Sequence, residues 1–241
     1  MRNTIIIIPT FNHLDDCLKP CIESIAKCTD FGDESGNAVL VVANGCVDGT
    51  VEFLYDIERA FPWLSHVNVE EQLGYTKAVN VGLRYARVEG RFDKYVLLNN
   101  DTVLLPQERN TWLRMMYEGF ADGKVAVTGP VMKTEEQVGL PFVIFCCAMI
   151  SGQALDEIGL LDEEFSPGFG EDVDFCTRAI KAGYEIRQVP AVDGAKLTEG
   201  VYVGCFPIYH AGTKTFREYD GYEEIVSRNI SLLMRKHLKI E

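Results

Sequence analysis

The chain has 241 residues, 47% of them hydrophobic, enough to bury a sizeable core in one domain without disulfide staples. Its formal charge of −13 argues against nucleic acid or an anionic membrane as partner, since both reward clustered Lys and Arg. No apolar run reaches the length of a membrane span, so a soluble, cytoplasmic protein is expected.

The eight cysteines form no Cys-x-x-Cys framework, and several, such as Cys146 and Cys147, stand inside apolar runs. They read as buried free thiols. Cys17, Cys21 and Cys28 share one helical face, which reads as packing rather than zinc binding.

Residues 4–8 are β-branched and apolar at almost every position, the pattern of a parallel strand covered on both faces, and Pro9 follows them. Leu14, Leu18, Ile22 and Ile25 then recur at helical spacing, residues 38–42 form a second apolar run, and Gly49-Thr50 opens a helix with Phe53, Leu54 and Ile57. A third strand is expected at residues 66–69, a helix at 74–86, a fourth strand at 95–98, a helix opened by Pro106 with Trp112, Leu113 and Met116, and a fifth strand at 125–128. This alternation predicts an α/β fold with a mostly parallel, doubly wound, Rossmann-like sheet and ligands at the carboxyl ends of its strands. After about residue 130 the pattern turns irregular, with strands expected near 184–189 and 201–209 and an amphipathic packing helix over 222–238. No linker interrupts the chain, so a single domain, 1–241, is expected.

Polar motifs fall where these strands end. Asn99-Asn100-Asp101 closes the apolar run 95–98, and a carboxylate at such a strand end suits a divalent cation, although a solvated strand end has the same look. Pro9-Thr10-Phe11-Asn12 follows the first strand and Asn44-Gly45-Cys46-Val47-Asp48-Gly49-Thr50 the second. Side by side, these turns suit a nucleotide base and ribose, although Asp48-Gly49-Thr50 also fits a plain turn and cap. A second acidic cluster, Glu171-Asp172-Val173-Asp174, follows a Gly-rich loop, where carboxylates also complement a helix macrodipole. Gly168 and Gly170 would free residues 166–170 to move. An anionic chain that takes a phosphorylated substrate needs local positive charge, from Lys77, Lys214, Arg217 or a metal ion.

Residues 9–12, 41–50, 73–82, 97–102 and 170–178, in that order, resemble the family 2 glycosyltransferases of GT-A fold. The resemblance spans most of the chain and implies an inverting transferase, with 1–130 as the nucleotide-sugar and metal half and 131–241 as the acceptor and base half. It places Pro9, Thr10, Asn12, Asn44, Asp48, Gly74, Lys77, Asn99 and Asn100 around a nucleoside-diphosphate sugar. Asp101 becomes a ligand to Mn2+ or Mg2+, with His210 a second contact to metal or diphosphate, though a lone histidine is also a common structural residue. Asp172 becomes the general base and Glu171 a contact to the acceptor, a glycan or glycolipid hydroxyl, as in polysaccharide biosynthesis. Two carboxylates so close are expected to raise at least one pKa. Two departures stand out, because Ala43-Asn44 replaces an acidic pattern that reads a base imide in many relatives, and Cys46 replaces a common Ser. A sugar-nucleotide binding module that has lost catalysis fits the reduced acidic cluster at 99–101, while a sugar nucleotidyltransferase fits poorly without a basic, Gly-rich first loop.

Overall fold

The structure, a computed structural model, describes residues 3–32, 35–189, 196–198, 201–203, 206–212 and 221–238. The strand β1 (Thr4–Thr10) is buried throughout and leads through a π-helical turn (Leu14–Leu18) into α1 (Lys19–Cys28). Then come β2 (Ala38–Asn44), α2 (Thr50–Ala60), β3 (Leu64–Val69), α3 (Tyr75–Glu89) and β4 (Lys94–Leu98). All four expected strands and the helices between them are present in order.

Alternation along β1 explains the doubly wound form. Ile5 and Ile7 point into a core beneath α3, and Ile6 and Ile8 point into a second core with Leu18, Ile22, Leu54 and Trp112. Each isoleucine is fully buried, so a continuous apolar strand is what two covered faces demand.

A short strand, β5 (Thr102–Leu104), follows the Asn99-Asn100-Asp101 turn, and α4 spans Thr111–Glu118. The helix expected at Pro106 therefore starts later. Residues 105–110 bond elsewhere instead: Leu105 N–H donates to Pro207 O, Asn110 N–H to Cys28 O and Arg109 Nη1 to Thr29 O, while Gln107 Oε1 accepts from Trp112 N–H.

The segment expected to be irregular is well formed. It contains β6 (Val125–Gly129), a hairpin of β7 (Met132–Glu135) and β8 (Leu140–Val143), β9 (Cys147–Ser151), α5 (Gly152–Ile158), a 3₁₀ turn (Glu163–Phe165), α6 (Glu171–Lys181) and β10 (Glu185–Gln188). Three short strands follow, β11 (Lys196–Thr198), β12 (Val201–Val203) and β13 (Ile208–His210), and later α7 (Tyr222–Leu233).

The main sheet has the order β10-β6-β9-β4-β1-β2-β3, with β9 antiparallel between β4 and β6 and the remaining pairs parallel. The carboxyl ends of β1, β2, β3 and β4 thus share one edge. A second, antiparallel sheet, β11-β12-β13-β5, sets His210 opposite Thr102. No helix among the described residues is long and apolar enough to cross a membrane.

Helix α3 lies close to the sheet because Gly82 has no side chain. A Cβ there would sit 2.5 Å from Ile7 Cγ2 and 3.1 Å from Val42 Cγ2. Gly82→Leu should lift α3 from β1 and β2 and cost about 1–3 kcal/mol, the usual range for overpacking, read as a lower denaturant midpoint at unchanged slope.

Candidate functional site

The first two strand ends are laced together. Asn12, in a left-handed conformation with φ 53, accepts Val47 N–H on Oδ1 at 2.8 Å, and its own N–H donates to Cys46 Sγ at 3.3 Å. The Cys46 thiol donates in turn to Thr10 O at 3.4 Å. Asp48 accepts from Leu14 N–H at 3.0 Å and from the Thr50 hydroxyl at 2.6 Å. Burial works against its charge, yet these bonds hold the carboxyl below the usual range. Asn44 spends its Oδ1 on Leu73 N–H at 2.7 Å, while its Nδ2 has no partner among the described residues.

The Asn99-Asn100-Asp101 turn packs against this region. Asn100 Nδ2 donates to Thr10 Oγ1 at 2.9 Å. Asp101 is buried, with Oδ1 3.1 Å from His210 Nε2, which also lies 3.3 Å from Asn99 Nδ2. The β5–β13 pairing brings these residues together, and Ala211 N–H donates to Asp101 O at 3.0 Å. Burial disfavours a charged His210, but Asp101 and Cys146 outweigh it and push the imidazole up to about 10. Asn99 Oδ1 is buried without a hydrogen-bond partner among the described residues. An orphaned amide oxygen, a carboxylate and an imidazole form a donor set that suits a divalent ion of the Mn2+ type.

The second acidic cluster opens α6. Gly170, at φ 92, precedes Glu171, which is buried with Oε2 unpartnered among the described residues. Asp172 is half-buried, and its Oδ1 accepts Val173 N–H at 2.8 Å. Both carboxyls are pushed up, Glu171 by burial and then by the Asp172 charge, Asp172 chiefly by burial. Asp174 plays another part, in a buried ion pair with Arg178 Nε at 2.7 Å and a contact to His237 Nε2 at 2.9 Å.

Tyr75 feels the charge of both acidic clusters. Its hydroxyl donates to Phe145 O at 2.8 Å and is pushed well up, first by burial, then by Glu171, Asp172, Cys146 and Asp101. Both clusters therefore lie within electrostatic reach of one phenol. The strap beside it touches both as well, since Cys146 O accepts Asn99 N–H at 2.9 Å and the Phe145 backbone bonds to Asp172.

The pattern of glycosyl transferase family 2 matches residues 5–145, more than half of the chain. The chain belongs to glycosyl transferase family 2. Its fold is similar to that of a mannosyltransferase, PcManGT from Pyrobaculum calidifontis, solved with GDP-Man and Mn2+, with a TM-score of 0.72 and 18% identity over 100% of this chain and 66% of that one. It is also similar to GalNAc-T7 with UDP, GalNAc and Mn2+, with a TM-score of 0.66 and 11% identity over 79% of this chain and 43% of that one. This chain thus spans just under two thirds of the first protein's length and under half of the second's. The architecture is GT-A, and no curated protein gives a match.

Within this family 2 chain, Thr10 and Asn100 are brought together, as are Asn99, Asp101 and His210, and the charges of Glu171, Asp172 and Asp101 all act on Tyr75. Pro9 remains inside β1, paired with Val42. Gly74 packs against the loop before α6. A Cβ there would fall 2.5 Å from Pro167 Cα, so the neighbour that needs the space is Pro167. Half-buried Lys77 lies near Glu163, on which its charge acts. Asn80 also serves the scaffold, accepting Leu161 N–H at 3.1 Å and donating to Glu163 Oε1 at 3.0 Å. Lys214 and Arg217 lie outside the described residues.

Residues 166–170 were expected to move freely, but their backbone is held. Pro167 O accepts from Tyr75 and Thr76 N–H, Ser166 Oγ donates to Leu73 O, and Asn229 Nδ2 donates to the Gly168 and Phe169 carbonyls. Sequence reasoning missed Tyr75, Cys146 and Asn229. Tyr75 lay inside a quoted motif that read as a plain helix start. Asn229 had a usable signal, since the spacing from Ile225 to Leu233 puts it on the buried stripe of its helix.

Glu171 carries a pH signature. Its carboxyl is raised from 4.5 to about 8, so its contribution to stability is complete below 4.5 and is lost as pH rises through about 8. Glu171→Gln should therefore melt higher than wild type at about pH 9, by on the order of 1–3 kcal/mol, with the gap closing toward about pH 5 in paired melting curves.

Proposed function

We propose that this family 2 chain is an inverting glycosyltransferase, moving a hexosyl or deoxyhexosyl group from a nucleoside-diphosphate sugar to a hydroxyl of a glycan or glycolipid. The observation that carries this reading is that residues 145 and 146 bond both to Asn99, beside a cation donor set, and to Asp172, in a pair of raised carboxyls, with Tyr75 in electrostatic reach of both. Acidic groups held close together without a cation among the described residues cost stability, and such costs collect where chemistry needs them. That favours an enzyme over a binding module that has lost catalysis.

The donor's nucleotide would lie over the ends of β1 and β2, with Thr10, Asn12 and Asn44 at its base and ribose. Because Asn44 Oδ1 is committed to Leu73, the side chain offers the base a donor, its Nδ2, where an aspartate would offer an acceptor. Asp101, with His210 and the orphaned Asn99 oxygen, would hold Mn2+ or Mg2+. A cation there supplies neutralising charge for the departing diphosphate. The structures solved with Mn2+ and either GDP-Man or UDP and GalNAc support both the donor class and the metal.

Asp172 would take the proton of the attacking hydroxyl. A carboxylate with a raised pKa is a stronger base than an exposed one, and burial is what raises it here. With the hydroxyl arriving opposite the leaving group and no covalent intermediate, the anomeric configuration inverts. Glu171 would orient the acceptor through its unpartnered Oε2.

Calorimetry of UDP, dTDP and GDP with Mn2+, followed by release of sugar from the matching donors, tests the reading. Asp172→Asn should keep the nucleotide affinity and lower turnover by about 10²–10⁴-fold, the usual contribution of a general base. Wild-type turnover in that variant would sink the assignment. Asp101→Ala should abolish the Mn2+ dependence of nucleotide binding, and an unchanged dependence in the same titration would remove Asp101 as ligand.

A further inference from the structure

We infer that Asn229 is a positioning residue for the catalytic carboxyl pair, an inference that rests on the function proposed above. Asn229 is fully buried on α7, far from Glu171 in sequence, and its Nδ2 lies 3.0 Å from Phe165 O, 2.9 Å from Gly168 O and 2.7 Å from Phe169 O. Its Oδ1 accepts from Arg228 Nε at 2.9 Å, and Arg228 Nη2 also donates to Ser166 O. One carboxamide thus gathers three carbonyls of the loop that runs directly into Glu171 and Asp172.

The loop needs such a donor. Its carbonyl dipoles point their negative ends at a single buried spot, and a buried carbonyl left without a donor costs about 1–3 kcal/mol. Phe169 is held at φ 76, a region that a non-glycine residue occupies only under constraint from its surroundings, and Gly170 at φ 92 follows. Asn229 supplies that constraint within two residues of the carboxyls.

The same loop is fixed on its other side by the donor helix. Tyr75 N–H donates to Pro167 O at 2.5 Å, and Ser166 Oγ donates to Leu73 O at 2.9 Å. Asn44, at the nucleotide turn, holds Leu73 N–H. The loop therefore spans from the nucleotide side to α7, and Asn229 sets the end that carries the base. Removing its amide lets the first turn of α6 shift relative to Tyr75 and the cation site without unmaking either.

The test compares Asn229→Ala with Ile230→Ala, a neighbouring buried apolar position, on the full chain with Mn2+ and a panel of UDP- and GDP-hexoses. Expected for Asn229→Ala is a fall in kcat of up to about 10²-fold with donor KM and nucleotide affinity close to wild type, the penalty of displacing a reacting group by about 1 Å. Ile230→Ala should lose melting temperature without that split. If Asn229→Ala does not fold, Asn229→Ser, which keeps one donor, is read in its place. Equal kcat in wild type and Asn229 variant, or parallel losses in both variants, overturns the inference alone. A wild type that binds no nucleoside diphosphate and releases no sugar overturns the functional reading and this inference with it.

Discussion

The reversed strand β9 is the constraint on which the site depends. Because it runs antiparallel beside β4, its first residue, Cys147, pairs with Leu98 at the very end of β4. The two residues before it must then lie next to Asn99. From there the Cys146 carbonyl reaches Asn99 N–H, and the Phe145 carbonyl reaches the Tyr75 hydroxyl. A parallel strand in that slot would begin at the opposite edge, and nothing would tie the cation donor set to the start of α6.

That arrangement sets Glu171 out of water and Asp172 partly so in an already acidic protein. Asp174, next to the pair, is neutralised by Arg178, whose guanidinium also donates to the Ile158 and Leu160 carbonyls. Glu171 and Asp172 have no such cation among the described residues, only burial and a few backbone amides. The contrast within four residues separates a carboxylate that builds the helix from two whose energetic cost remains uncompensated by the fold.

The first hundred residues were readable because β1, β2 and β4 are apolar on both faces and each helix between is amphipathic, so period and order sufficed. The polar turns fell at the strand ends for the same reason. Beyond residue 130 the strand expected at 184–189 and the helix expected over 222–238 are present, but elsewhere the signal failed for identifiable causes. The apolar run from Leu140 to Ile150 holds two strands and the turn between them, and no residue type marks where it reverses. His210 joins Asp101 through three-residue strands too short for any period to show. The roles of Asp48 and Gly74 were half legible. Asp48 read as part of a turn and Gly74 as part of a motif, but only the fold reveals that Leu14, Thr50 and Pro167 are their neighbours.

The long reach of α7 also orders assembly in time. On a ribosome, β1 through β4 can pair as soon as about the first hundred residues have emerged, since parallel neighbours there come from adjacent stretches. The loop before α6 closes onto Asn229, which is synthesised more than fifty residues later. A nascent chain would therefore pair β1 through β4 well before the loop ahead of α6 is seated, and that loop would wait for translation to reach α7.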